Sequence, residues 1–147
     1  MASSTMGAVT APTTKYASWI QRLVALIIDC VLVGIVNMII NFVLTMSLGH
    51  LIGGIVGSCV GLAIGIGYFS YMESSEKQAT FGKNAMGIMV TDENGQRITM
   101  SKAVVRYLSK IVSTVTLMIG WFMPLFTAKK QALHDIIAGT LVVEGKR

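Results

Sequence analysis

The chain opens with small and polar residues and then turns apolar. From Cys30 to Met72 it carries no Lys, Arg, Asp or Glu. A helix crossing a bilayer needs about 20 apolar residues, so this stretch, extended back to Arg22, accommodates two spans. The first is expected from about 18 to 48, beginning at Ser18, whose hydroxyl can cap it. Tyr16 and Trp19 then stand where interfacial aromatics belong. The second is expected over about 50–72. Its Gly53, Gly57, Gly61 and Gly65 recur every fourth residue, with Gly54, Ser58 and Gly67 beside them. In water so many glycines would break a helix, whereas in lipid they open a groove for close approach of another helix. The pattern leaves open whether the partner is the first helix or a neighbouring copy.

Beyond Glu73 the pattern changes. Residues 73–100 are polar, and Ile88–Asp92, Asn94-Gly95 and Gln96–Thr99 predict a β-hairpin with a two-residue turn. An isolated hairpin is marginal, and the β-branched run Thr140–Val143 is the candidate for a further strand. Ser101 is expected to cap a third segment, 101–127, which carries Arg106 and Lys110 on one face and is interrupted by Gly120 and Pro124. A full span would put Lys129 and Lys130 on the far side and separate Thr140–Val143 from the hairpin. A re-entrant segment satisfies both points and is the favoured reading, with a full span as the alternative. An amphipathic segment and strand complete the chain over 128–147. Residues 1–15 are read as a disordered tail and 16–147 as one membrane domain.

Composition agrees with this pattern: of 147 residues, 53% are hydrophobic and 13% charged, with a formal net charge of +5. Lys15 and Arg22 precede the first span and a cluster of Lys and Arg follows the second, while the turn between them, Ser47–His50, has neither. The positive-inside rule therefore places the N-terminus and the 73–102 loop in the cytoplasm. The basic balance reads as topology and contact with anionic headgroups; no basic stripe interleaved with aromatics suggests nucleic acid. Cys30 and Cys59 both fall within spans and read as small apolar fillers.

Charge inside the apolar run carries the candidate chemistry. Asp29 lies between Ile28 and Cys30, where a carboxylate is costly unless paired or neutralised and marks a functional site by default. Arg22, seven positions earlier, shares its helix face at about 10 Å along the axis. Arg22, Arg106 and Lys110 are the expected electrostatic partners. Asn37 and Asn41 extend a polar track, suited to helix–helix hydrogen bonding or to ion coordination. His134-Asp135 forms a second focus. Neighbours on a helix point about 100° apart, so the two do not converge on one ion, and a structural salt bridge or cap is expected. No metal-ligand spacing, cofactor motif or nucleophilic set is visible. Thr80-Phe-Gly-Lys83 lacks the spacing of a phosphate loop, and His50 reads as interfacial.

Arg22 and Asp29 within Trp19–Asp29, together with Leu133–Thr140, resemble the Arg, Asp and Asp motifs of the RDD family. The stretch Thr80–Val90 resembles the family's cytoplasmic loop, with Phe81 where Pro is common. The resemblance implies a prokaryotic inner-membrane protein, often suspected of transport, with no substrate attached. Residues and resemblance together predict an all-α polytopic membrane protein with two transmembrane helices, a third re-entrant or spanning segment and a small cytoplasmic β-hairpin. The expected role is non-enzymatic: an oligomeric transporter or ion-translocating module for a proton or monovalent cation, with Asp29 as its carboxylate. The alternative is a structural or regulatory scaffold whose charges lock the fold and whose cytoplasmic face binds a partner.

Overall fold

The computed structural model describes residues 15–115 and 119–145. The predicted tail, apart from Lys15, lies outside them, as do residues 116–118 of the third segment. Two long helices dominate: α1, Trp19–Leu48, and α2, His50–Ser74, joined through Gly49. Ser18 caps α1 as its side chain predicts, accepting from the Gln21 N–H while the Gln21 side chain accepts from the Ser18 N–H. Gly49 takes φ +82° at the joint, a conformation side chains rarely adopt.

Both helices are long and apolar enough to cross a membrane. Their outer faces show Ile27, Ile35, Ile39, Phe42, Leu51 and Ile55 unburied, so no core among the described residues covers them. At about 1.5 Å per residue, even the shorter helix exceeds the roughly 30 Å hydrocarbon core.

The glycine ladder packs within the chain. A Cβ at Gly53 would lie 2.6 Å from the Leu44 carbonyl oxygen and the Thr45 Cα of α1. The Asn41 and Asn37 side chains fill the spaces over Gly57 and Gly61, and the Tyr107 hydroxyl fills that over Gly65. Of the two partners the pattern leaves open, the first helix fills the groove, with Tyr107 at Gly65.

The remaining elements gather at the pole where α1 begins and α2 ends. A short helix α3, Phe81–Ala85, leads into strand β1, Ile88–Asp92. Helix α4, Met100–Val115, and a single turn α5, Ile119–Phe122, follow; helix α6, Leu133–Ala138, then runs into strand β2, Thr140–Glu144. Ala17, Ala25, Ile88, Val90, Ile98, Ala103 and Val142 form a small core here.

The predicted hairpin is corrected. β1 pairs antiparallel with β2, from Ile88 opposite Glu144 to Asp92 opposite Thr140, and Gln96–Thr99 forms no strand. The turn itself exists: Asp92 Oδ1 accepts from the Asn94 and Gln96 N–H groups, both at 2.8 Å. The return arm fails because Gln78 already holds that edge, accepting from Val90 N–H at 2.7 Å and donating its side-chain amide to Val90 O at 2.8 Å. The run suggested as an extra strand is therefore the principal partner. Its other edge takes residues 15–17, with Ala17 N–H on Val142 O and Glu144 N–H on Lys15 O. Lys15, assigned to the tail by sequence, also pairs with Glu144 at 2.9 Å.

The third segment begins and finishes at this one pole. Ser74, at the end of α2, approaches Met100 at 3.7 Å. Beyond α4, Trp19 Nε1 donates to the Trp121 carbonyl at 3.0 Å, and the Trp19 ring stacks on Phe122. Among the described residues the segment contains no third helix of spanning length. Its start is capped by Thr99, whose hydroxyl accepts from Lys102 N–H, with Ser101 inside the helix.

The α1–α2 contact gives a paired test. Gly53→Ala drives a methyl into backbone that cannot yield, whereas Gly54 has open space around its Cβ position. Overpacking of this kind costs about 1–3 kcal/mol. Gly53→Ala should lower the thermal midpoint in detergent by several degrees while Gly54→Ala leaves it level or slightly higher. Equal midpoints for the two variants would exclude this packing.

Candidate functional site

Five segments converge on a buried ion network. Arg106 of α4, 2% exposed, binds Glu73 Oε2 through Nη1 at 2.5 Å and Asp135 Oδ1 through Nε and Nη2, both at 2.7 Å. Arg22 of α1 binds Asp135 Oδ2 through Nη1 at 2.6 Å. Lys83 of α3 pairs with Glu73 Oε1, and Lys110 stands 3.7 Å from the same oxygen with its ammonium over the Phe69 ring. Charges taken out of water cost several kcal/mol each unless paired and hydrogen-bonded, which is why these occur as a connected set. Asp135 sits in the first turn of α6, where its carboxylate also accepts from the Ala132 N–H. Gly139, at φ +63°, ends that helix and turns the chain into β2.

Asp29 is buried beside this network and held differently. It accepts from the Tyr68 hydroxyl at 2.9 Å, the Thr80 hydroxyl at 2.5 Å and the Gly82 N–H at 2.9 Å. These bonds seat the Thr80–Lys83 turn against α1, where Gly82 leaves no room for a Cβ over the Ala25 carbonyl. The expected Arg22–Asp29 pairing is corrected: Arg22 reaches Asp135, a carboxylate distant in sequence, and Arg106 and Lys110 go to Glu73 and Asp135. Shared helix face put Arg22 and Asp29 on one side of α1 without bringing them together.

Asn37 and Asn41 lie away from the network. Each donates its side-chain amide to the carbonyl four residues earlier, at 3.1 and 2.9 Å, and faces the α2 glycines. Asn41 lies over Gly57 and Asn37 over Gly61. His134 Nε2 lies 3.6 Å from Asp135 Oδ1, but burial, with Arg106 adding repulsion, pushes its pKa down to about 3. It is therefore neutral at physiological pH and packs its ring against Trp121. Its expected electrostatic role passes to the two arginines. Cys30 and Cys59 are free thiols on exposed helix faces, and His50 is exposed at the start of α2. Among the described residues no group of His, Cys, Asp or Glu is arranged to hold a metal.

Glu73 and Lys83 escaped the sequence reading as site residues. Glu73 is the first carboxylate after the long uncharged run, and Lys83 sits inside the loop motif; both signals were visible but pointed to topology. Burial lowers the Lys83 ammonium to about 7, with Arg106 repelling it and Glu73 opposing the shift.

A cavity of about 460 Å³ opens beside the network. Its lining combines the charged or polar Arg22, Asp29, Lys83, Arg106, Lys110 and His134 with the apolar Leu23, Leu26, Phe69, Ile111 and Phe122. It is the kind of concave, mostly apolar space with a few convergent polar groups that binds small molecules.

The network carries an acid signature. Burial would raise the Asp135 pKa, but Arg106, with Arg22 assisting, holds it well below its ordinary 3.8. The folded state thus binds this proton less readily than the unfolded state. The stabilisation is complete above about pH 5 and drains away as pH falls through 4 toward the folded value. Asp135→Asn should lower the thermal midpoint at pH 7, as loss of one partner from a buried pair costs about 3–5 kcal/mol, and should flatten the decline between pH 5 and 3. An unchanged acid slope in that variant would remove Asp135 from the account.

Two curated relatives match parts of the chain. Uncharacterized protein YxaI of Bacillus subtilis (strain 168) is 38% identical over 76 residues, 52% of this chain and 50% of that protein. Uncharacterized protein RP437 of Rickettsia prowazekii (strain Madrid E) is 36% identical over 69 residues, 46% of this chain and 38% of its own length. The chain thus spans half or less of the curated relatives it matches. No solved structure matches it. The model of the RDD family matches residues 16–139, a range that takes in Arg22, Asp29, Glu73, Lys83, Arg106 and Asp135, and the chain belongs to the RDD family.

Proposed function

We propose that this chain is a non-enzymatic subunit of a small homo-oligomeric transporter of the prokaryotic inner membrane, in which the cavity beside the ion network receives a charged solute. The observation that carries this reading is the cavity itself: it brings apolar membrane-side residues and buried charges to one space. Two spans enclose no pathway alone, so the reading requires further copies or a partner.

The exterior supports membrane seating of the third segment. α4 buries Ala103, Arg106, Ser109 and Ser113 while exposing Val105, Leu108, Ile111 and Val115. A helix with its polar face inward and its apolar face outward is suited to lipid, not to water. Phe122, Leu125 and Phe126 continue that exposed apolar surface. With the N-terminus cytoplasmic, the segment lies in the cytoplasmic leaflet and returns to the side it left, the re-entrant arrangement.

Exchange of a proton against the solute falls to Lys83 in this reading, because burial lowers its pKa to about 7 while it stays paired with Glu73. The oxygens of Asp29 are all engaged by donors, so Asp29 positions the Lys83 turn. A second reading, a scaffold that docks a cytoplasmic partner, is favoured by the same closed pairing of every carboxylate in the network.

Proteoliposomes distinguish the two. Imposed pH gradients with Na⁺, K⁺ or anionic counter-solutes should drive flux through the wild type that varies between pH 6 and 8. Lys83→Arg keeps a cation on Glu73 but cannot deprotonate, so it should preserve assembly and abolish that pH dependence. Absence of flux from folded wild type under every gradient would sink transport and leave the scaffold.

A further inference from the structure

The cavity shows which charge its ligand carries. Every carboxylate oxygen around it already has a partner: those of Asp29 on Tyr68, Thr80 and Gly82, those of Glu73 on Lys83 and Arg106, those of Asp135 on Arg106, Arg22 and Ala132. The donors are in surplus. Among the described residues, Arg22 Nε and Nη2 and Trp121 Nε1 are buried without hydrogen-bond partners, and both residues line the cavity. Buried polar groups left unsatisfied cost about 1–3 kcal/mol each, so a site with several of them in one space calls for a ligand that accepts. The charge balance agrees. With Lys83 protonated, the four cations Arg22, Lys83, Arg106 and Lys110 outnumber the three carboxylates Asp29, Glu73 and Asp135 by one.

The apolar part of the lining indicates what else the ligand carries. Leu23, Cys30, Ile111 and Phe122 line the cavity and are also exposed on the outer surface of α1, α4 and α5. The cavity therefore opens sideways between α1 and α4, onto the surface read above as lipid-facing. A small hydrophilic anion would leave this apolar part uncovered, and a neutral lipid would leave the donors unpaired.

We propose that the cavity binds an anionic phospholipid, its phosphate accepting from Arg22 and Trp121 and the upper part of one acyl chain lying along Leu23, Leu26 and Ile111. The remainder of the lipid stays in the bilayer, since the cavity is too small for a whole molecule. The proposal rests on the cavity of the preceding reading and on its membrane seating, but not on transport. An arginine fork and an indole N–H are suited to a phosphate oxygen, and the anion would offset the excess charge.

The chain's two tryptophans, Trp19 and Trp121, both line the cavity, so intrinsic fluorescence reports occupancy. Purified full-length chain, delipidated in neutral detergent, is titrated with phosphatidylglycerol or phosphatidylcholine carrying brominated acyl chains. Saturable quenching is expected at about tenfold lower content of the anionic lipid, a difference of about 1.4 kcal/mol. Arg22→Lys keeps a charge for Asp135 but loses the planar donors, and should erase most of that preference. Trp121→Phe keeps the ring, leaves Trp19 as reporter and should weaken the preference severalfold; it carries the test if Arg22→Lys does not fold. Equal quenching by the two lipids overturns the proposal, as does an undiminished preference in Trp121→Phe with folded Arg22→Lys. Inorganic phosphate or glycerol phosphate displacing the lipid at submillimolar concentration also overturns it, in favour of a free-anion site. Flux without headgroup preference would keep transport and remove this inference; preference without flux would do the reverse.

Discussion

The fold at the pole where α1 begins and α2 ends depends on one guanidinium. Arg106 joins Glu73, at the end of α2, to Asp135, at the start of α6, and Asp135 in turn takes Arg22 from the start of α1. Segments far apart in sequence are thereby fixed by side chains that satisfy one another and little else. The apolar core at this pole is small, mostly alanine and β-branched residues, so the pairing geometry determines how the elements sit. Buried pairs of this kind contribute specificity more dependably than net stability: a misplaced α6 or α4 would leave a bare charge in an apolar setting. The same constraint explains why α4 points its polar face inward, against the usual sense for a helix in water.

Asp29 provides a second, independent anchor. Its three donors come from α2, from Thr80 just before α3 and from Gly82 within α3, so it ties the loop to the long helices without any cation. The two anchors divide the labour. One orients the helices that arrive late in the chain, and the other seats the loop that delivers Lys83 to Glu73. The cavity lies between them, which is why its wall includes residues from both.

The two long apolar helices, the cap at Ser18 and the role of Thr140–Val143 as a strand were legible because each depends on local pattern: an uncharged run, a hydroxyl at a helix start, a β-branched cluster. The hairpin was misread for a reason local pattern does not contain. Asn94-Gly95 does make its turn, but Gln78, from outside the segment, occupies the edge that the returning arm needed. The charges were found and their partners mostly were not. Arg22 and Asp29 share a face, and periodicity offers no means of choosing Asp135 over Asp29 when the true partner lies more than a hundred residues away. Glu73 was visible as the end of a span and not as a hub, because its ligands come from α3 and α4, whose placement is a tertiary fact.

The strand β2 lies between residues 15–17 and β1, and the network closes only with Asp135. Synthesis therefore finishes both long helices well before the groups that complete this pole exist. Through that interval Arg22 and Glu73 stand near the ends of α1 and α2, outside the uncharged run between them. The glycine face from Gly53 to Gly61 packs on α1 alone, so the later segments dock onto a helix pair already in contact. The arrangement separates the pairing of the long helices from the assembly of the charged site, so that a fault in the second leaves the pair without its cavity.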